Sequence, residues 1–223
     1  MVRSRVKRAD QGIAKEALTR AYDSSLCCLK DKSWLQTESL LKSRIDLGCA
    51  LEIGPGPGYE GLEWLRRTED TTLKGLDVSE DMVILAREKV NDYGLDGRAE
   101  YYVGDAARIP FRDGHFDAVF STNSLHGWAD PKGVFDEIYR VLRPGGKYFV
   151  SDLRRDMNPL VRWLILLRMT GQSWVMRQDF INSFNASYTV PEVRAILAGT
   201  GLLGCKTGQT PFYVVISGRK EYP

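Results

Sequence analysis

The chain has 223 residues, of which 43% are hydrophobic and 27% are charged, and this predicts one soluble globular domain with a sizeable core. Its 31 basic and 29 acidic side chains leave a formal net charge of only +2. We therefore expect no nucleic acid partner, because proteins that bind nucleic acid carry a clear basic excess.

The cysteines and histidines argue against a metal site. Cys27, Cys28, Cys49 and Cys205 form no C-x-x-C pair, and the chain has only two histidines. Free thiols and the lack of a signal-peptide pattern predict a cytoplasmic location. No apolar run approaches the roughly 20 residues that span a bilayer, so we expect no stable membrane insertion.

From about residue 48 to about residue 152, short apolar runs alternate with amphipathic segments. This succession predicts βαβ units and a doubly wound parallel sheet, whose ligands bind beyond the carboxyl ends of the strands. The predicted strands lie near 48–54, 71–77, 99–103, 116–121 and 147–152. The predicted helices lie near 58–68, near 80–93 and from Pro131 onward. Ser79 is the predicted cap of the second helix, and residues 143–146 are predicted to end the third.

Three segments flank this alternating region. Residues up to about 45 are predicted to be helical, and residues 156–186 are predicted to form one or two inserted helices. Both could fold over a ligand as a lid. The chain then continues with a predicted helix near 190–199 and strands near 202–207 and 212–218.

The segment Ala50–Gly58 combines an apolar strand, a glycine-rich turn and the start of a helix. Glycines permit the tight reversal and let a ligand lie against bare backbone, so the turn predicts a nucleotide-type cofactor site. Pro55 and Pro57 remove two of the amide donors that a pyrophosphate would need. A ligand without phosphates therefore suits the turn better than a nicotinamide dinucleotide does.

Two acidic residues end the next two predicted strands. Asp77 can accept hydrogen bonds from both hydroxyls of a ribose, and Asp105 can accept one from an exocyclic amine such as adenine N6. The alternatives are a helix N-terminal charge for Asp77, which precedes Ser79 and Glu80, and a capped turn for Asp105.

Together these motifs resemble the class I S-adenosylmethionine-dependent methyltransferases of the small-molecule type. The likeness covers about residues 48 to 152 and implies a Rossmann-like, seven-stranded, mostly parallel sheet with helices on both faces and an antiparallel last strand. The similar motifs, in chain order, are Leu51–Gly58, Leu76–Ser79 with Met82, Gly104–Ala106 with Ile109–Phe111, Phe116–Val119 through Leu125, His126 and Trp128, and Arg140–Gly146.

The resemblance implies a single domain over residues 1–223. Its parts would be a helical lid at 1–45, a cofactor-binding core at 46–155, a helical insertion at 156–186 beside the acceptor pocket, and a C-terminal helix and strand pair at 187–223. The implied cofactor is S-adenosyl-L-methionine, with S-adenosyl-L-homocysteine as product. The residues that it places around the cofactor are Tyr22 in the lid, Glu52, Gly54 and Gly56 at the methionyl end, Asp77, Val78 and Met82 near the ribose and adenine, Asp105 and Ala106 at the adenine edge, and Asn123 after the fourth strand.

The expected reaction is methyl transfer to a small-molecule acceptor by in-line displacement. It requires alignment and exclusion of water, and a base where the nucleophile carries a proton. His126 is the candidate base, with a structural histidine as the alternative. The segment Pro159–Met169 is apolar on almost every face, which predicts a buried or lid helix, an apolar acceptor pocket or a membrane contact.

Other functions stay open at this point. A non-catalytic S-adenosylmethionine-binding module would share the fold, and a methyltransferase could act on protein or RNA. Asn123-Ser124-Leu125 lacks the Pro-Pro-aromatic pattern expected for methylation of base amino groups. A nicotinamide dehydrogenase is the weakest alternative. The acceptor and the oligomeric state are not specified by the sequence.

Overall fold

The computed structural model describes residues 4–6, 23–24, 35–169, 174–202 and 204–222, without the side chains of Arg168 and Val175. Tyr22, Cys27 and Cys28 lie outside the described residues, so the roles predicted for them are not addressed by the structure.

A seven-stranded sheet lies at the centre. Its strands are β1 (Gly48–Ile53), β2 (Thr71–Asp77), β3 (Ala99–Val103), β4 (Phe116–Thr122), β5 (Leu142–Leu153), β6 (Lys206–Gln209) and β7 (Tyr213–Arg219). The strand order is β3-β2-β1-β4-β5-β7-β6. Strands β1 to β5 pair in parallel, whereas β7 runs antiparallel to both β5 and β6. The predicted doubly wound sheet with an antiparallel last strand is confirmed.

Seven α-helices accompany the sheet within the described residues. They are α1 (Thr37–Lys42), α2 (Tyr59–Arg66), α3 (Glu80–Asp92), α4 (Pro131–Val141), α5 (Pro159–Arg168), α6 (Trp174–Ala186) and α7 (Val190–Leu197). The helix starts carry the expected signals: Ser79 accepts the amide of Met82 at 3.4 Å, and Asp130 accepts that of Gly133 at 3.0 Å. In the part of the chain that is described, no helix has both the length and the apolar character that crossing a membrane requires.

Apolar side chains cover both faces of the sheet. Successive residues of β1 point to opposite faces, so Ala50 belongs to one buried cluster and Leu51 to the other. The first cluster packs against α2 and α3, and the second against α4 and α7. These two layers hold the carboxyl ends of β1, β2 and β4 at one edge of the sheet.

The start of β5 differs from the sequence prediction. The strand begins at Leu142 rather than near residue 147, because its pairing with β4 is irregular: Phe116 pairs with Leu142, but Ala118 pairs with Lys147. Residues 143–146 are taken up by this irregularity, and such a site tolerates Pro144, which has no amide to donate. Residues 143–146, which were predicted to end α4, are therefore also part of strand β5.

Candidate cofactor and active site

The glycine-rich turn connects β1 to α2 and has left-handed backbone at Gly54 (φ 67°), Gly56 (φ 54°) and Gly58 (φ 86°). The amide of Gly54 donates to the carbonyl of Leu76 at 2.9 Å, which ties the turn to β2. A Cβ added to Gly54 would overlap the hydroxyl of Ser124. The turn thus needs glycine for its backbone and for its close contact with the loop after β4.

Asp77 joins the second predicted motif to the first. Its Oδ2 accepts the amide of Gly56 at 3.0 Å, and its Oδ1 accepts the amide of Ser79 at 2.9 Å. Burial raises the pKa of Asp77, while the amides of Ser79 and Gly56 oppose that rise. The amide of Val78 also lowers the pKa of Asp77 by hydrogen bonding, and since a carboxylate has about four lone-pair sites, Asp77 keeps little more than one of them free.

The residues predicted to meet the adenine lie at the ends of β2 and β3. Val78 is half exposed, whereas Met82 is buried in the first turn of α3. Asp105 is exposed and accepts the amide of Ala107 at 2.8 Å, so it caps the short 3-10 turn that begins at Ala106. The capped-turn alternative for Asp105 is therefore observed, and it leaves the carboxylate at the edge where an amine could approach.

Glu52 lies deeper than the other predicted site residues. It is buried, and a Cβ on Gly61 of α2 would overlap its Oε2. Among the described residues Oε2 has no hydrogen-bond partner. Burial raises the pKa of Glu52 well above its ordinary value, and the nearby Glu60 and Asp77 carboxyls raise it further. The structure places this carboxyl beneath α2.

The loop after β4 lies against the glycine turn. Asn123 is exposed, has left-handed backbone (φ 55°), and donates its amide to the carbonyl of Ser151 at 2.8 Å. Ser121 Oγ donates to the carbonyl of Ile53 at 2.8 Å and lies 3.2 Å from Ser124 Oγ. These bonds connect the ends of β1, β4 and β5, so Asn123 is presented beside the turn.

His126 and Asp152 form a buried polar pair at the same edge. Nδ1 of His126 lies 3.0 Å from each carboxylate oxygen of Asp152, and the His126 amide donates to Oδ2 at 2.5 Å. The His126 side chain is 12% exposed and the Asp152 side chain is fully buried. His126 was predicted from the sequence as a candidate base, but its pairing with Asp152 was not. The signal was available, because His126 follows β4 and Asp152 lies in the last residues of the neighbouring strand β5.

A second cluster of hydrogen-bonded polar side chains lies at this edge of the sheet, and the sequence patterns did not predict it. Glu60 accepts the amide of Gln36 at 2.8 Å and the hydroxyl of Thr37 at 2.6 Å, and Ser151 Oγ donates to Gln36 Oε1 at 2.5 Å. These bonds attach the segment before α1 to the start of α2 and the end of β5. These residues belong to no recognisable motif, so no sequence pattern singles them out.

The two arginines that follow β5 form ion pairs with acidic side chains of the protein itself. Arg155 forms an ion pair with Glu192 at 2.6 Å and also donates to the carbonyl of Ser187. Arg154 pairs with Asp156 at 2.7 Å. Both side chains therefore stabilise the region that precedes α5 and α7.

Comparison with known proteins decides the family. Residues 51–150 match the family model described as a methyltransferase domain. Residues 51–150 are a methyltransferase domain of the class I S-adenosylmethionine-dependent kind. The cofactor of this family is S-adenosyl-L-methionine.

The relatives of this methyltransferase domain match it over part of their length. It is 33% identical over 133 residues to methyltransferase GfsG of Streptomyces halstedii, covering 58% of this chain and 47% of GfsG. It is 39% identical over 105 residues to a fatty-acid O-methyltransferase of Mycolicibacterium smegmatis, covering 47% of this chain and 36% of that protein. The matched region thus spans about half or less of these relatives.

A solved structure shares the fold over nearly the whole chain. It is that of a putative S-adenosyl-L-methionine-dependent methyltransferase from Methanococcus maripaludis, with a TM-score of 0.75 and 23% identity. The superposition covers 99% of this chain and 98% of that one. The likeness supports the Rossmann-like architecture of the methyltransferase domain.

Proposed function

We propose that this protein binds S-adenosyl-L-methionine at the carboxyl edge of its sheet and transfers the methyl group to a small, apolar acceptor. The observation that carries the proposal is the hydrogen bond between Asp77 and the amide of Gly56. This bond holds the Asp77 carboxylate beside a turn whose glycines admit a ligand against the backbone, which supports a role for Asp77 in binding ribose hydroxyls.

The predicted site residues take these roles in the proposal. The turn, through Gly54 and Gly56, would receive the methionyl end, with Glu52 below it. Asp77 would hold the ribose, and Asn123 would approach from the loop after β4. The adenine would lie among Val78, Met82, Asp105 and Ala106. Tyr22 would face the methionyl group from the lid.

His126 acts as the base in this proposal, with Asp152 as its positioning residue. When bound, S-adenosyl-L-methionine supplies an electrophilic sulfonium methyl group. The Asp152 carboxylate accepts the proton on Nδ1 of His126, so Nε2 is left as the acceptor for a proton of the nucleophile. The surrounding loop after β4 and the buried Asp152 limit the access of water to this pair.

An apolar acceptor is supported by the composition of the helical insertion and by one relative. Residues 159–167, in α5, are apolar except for Arg162, and α5 follows the carboxyl end of β5. The Mycolicibacterium smegmatis relative is named for methylation of fatty acids. In the proposal the insertion at 156–186 contributes to the acceptor pocket.

A labelling experiment tests this function. Protein is incubated with methyl-labelled S-adenosyl-L-methionine and either long-chain fatty acids, whose carboxylates need no base, or long-chain phenols, whose hydroxyls carry a proton, and the label is followed into the organic extract. Label in the extract that depends on protein and acceptor supports the proposal, and a role of His126 as base requires transfer to the protonated acceptor. Label confined to protein or added RNA would indicate a macromolecular acceptor, and tight cofactor binding without transfer to any acceptor would indicate a non-catalytic module.

A further inference from the structure

One face of α5 is apolar and exposed. Leu160, Trp163, Leu164 and Leu167 recur at the i, i+3, i+4 and i+7 positions, which places them along one side of the helix. Their exposed fractions are 64%, 57%, 46% and 50%, and Trp174 at the start of α6 is 75% exposed. We call these five residues the apolar stripe.

The other side of α5 packs on the protein. Val161, Arg162, Ile165 and Leu166 are each partly buried. The guanidinium of Arg162 lies 4.2 Å from the ring centre of Phe184 in α6. The helix therefore packs partly against α6 through one face, and the α5 residues of the stripe lie on the opposite, exposed face.

The charged residues within the sequence segment that carries the stripe have a single sign. No acidic residue occurs between Asp156 and Asp179, whereas that interval contains Arg162, Arg168 and Arg177. Arg177 is exposed. Tryptophan and leucine on one face with arginines alongside are the composition of helices that lie in the interface of an anionic bilayer.

The helix that carries most of the stripe follows the functional edge of the sheet along the chain. Helix α5 begins shortly after β5 ends at Leu153, and β5 carries Asp152, the partner of His126. A surface on α5 that contacts lipid would bring the candidate active site close to that lipid. An apolar acceptor dissolved in the bilayer would then have a short path to the site.

We infer that the apolar stripe seats this protein on an anionic lipid bilayer, with α5 lying in the plane of the headgroups. The acceptor then enters the site from the lipid rather than from water, a point that rests on the proposed function. The positive charge of the exposed Arg177 favours anionic headgroups over neutral ones.

Vesicle flotation tests the inference with the whole chain, without cofactor or acceptor. The protein should float with vesicles of phosphatidylcholine and phosphatidylglycerol, should float far less with phosphatidylcholine alone, and should be released by salt. Trp163→Ser should lower the partition coefficient by about tenfold, since it removes an interfacial aromatic anchor. Arg177→Gln should weaken binding only to the anionic vesicles.

Leu47→Ser is the matched control. Leu47 is 67% exposed but immediately precedes β1, at the opposite edge of the sheet. Its replacement should leave flotation unchanged. Equal losses in Leu47→Ser and Trp163→Ser would overturn the inference, as would a wild type that does not float.

The remaining outcomes separate the possible occupants of the stripe. A wild-type dimer that Trp163→Ser converts to a monomer, without flotation, would assign the stripe to a second copy of the chain. Cofactor binding is measured separately by titration. Protein that binds S-adenosyl-L-methionine but does not float would leave the proposed function intact and overturn only the docking surface.

Discussion

The imidazole of His126 is held by the carboxylate of Asp152, with Nδ1 3.0 Å from both carboxylate oxygens. Asp152 also accepts the backbone amide of His126, so ring and backbone are fixed by one buried group. A carboxylate at Nδ1 favours the tautomer whose Nε2 carries no proton. This is the form that a general base requires.

Replacement of His126 by glutamine should reduce turnover without weakening cofactor binding. Loss of a positioned base lowers kcat on the order of 10²-fold. Steady-state kinetics with the acceptor and calorimetric titration with S-adenosyl-L-methionine measure the two effects. An unchanged kcat would assign His126 a structural role.

Asp152→Asn should also lower kcat, and by a different route. Asparagine can still accept the amide of His126, but its side-chain amide can donate to Nδ1 and so favours the wrong tautomer. The pH profile of kcat distinguishes the variants, because Asp152→Asn keeps the imidazole and His126→Gln removes it. Identical profiles in the two variants would contradict a positioning role.

Gly54→Ala should destabilise the protein through a steric clash in addition to backbone strain. Gly54 and Gly94 have similar φ values, 67° and 63°, but a Cβ at Gly54 would overlap Ser124, whereas no described atom lies within 4 Å of one at Gly94. We expect Gly54→Ala to lower the free energy of unfolding by about 1–3 kcal/mol more than Gly94→Ala does. Urea denaturation measures both, and equal losses would show that the clash is relieved at no cost.

Glu52→Gln should stabilise the protein at neutral pH. Burial, followed by the charges of Glu60 and Asp77, raises the pKa of the Glu52 carboxyl, so the folded state binds this proton more tightly than the unfolded state does. Wild-type stability therefore falls as the pH rises from the ordinary glutamate range toward the raised value. Glutamine has a similar shape and no such titration.

Thermal unfolding over a pH series checks this expectation in the absence of cofactor. The Tm of Glu52→Gln should exceed that of the wild type at neutral pH, and the difference should vanish in acid, where Glu52 is protonated in both states. A difference that does not change with pH would show that the Glu52 carboxyl does not titrate differently on folding.

Most of the fold could be predicted because its signals are local. The strands β2 and β3 match apolar runs in the sequence, and α3 starts at the capping residue Ser79. The start of β5 could not be predicted in this way. It depends on the irregular pairing of Phe116 and Ala118 with a distant segment, which no local pattern records.

The sequence predicted which residues of the candidate site lie at the ends of strands. It did not predict which of those residues contact each other. The glycine turn and Asp77 follow adjacent strands, so their proximity was expected, but the bond from Gly56 depends on the backbone of the turn. Likewise, pairing of His126 with Asp152 requires the register in which Thr122 lies beside Ser151. The burial of Glu52 beneath Gly61 depends on which face of β1 it occupies.

The most direct test of the account is calorimetric titration of the wild type, Asp77→Ala and Asp96→Ala with S-adenosyl-L-methionine. Asp96 is an exposed acidic residue in the loop before β3 and serves as the control. We predict that Asp77→Ala, shown to be folded by circular dichroism, loses about 1 kcal/mol or more of binding free energy. Asp96→Ala should bind as the wild type does. A folded, cofactor-free wild type that binds neither S-adenosyl-L-methionine nor S-adenosyl-L-homocysteine would contradict the account.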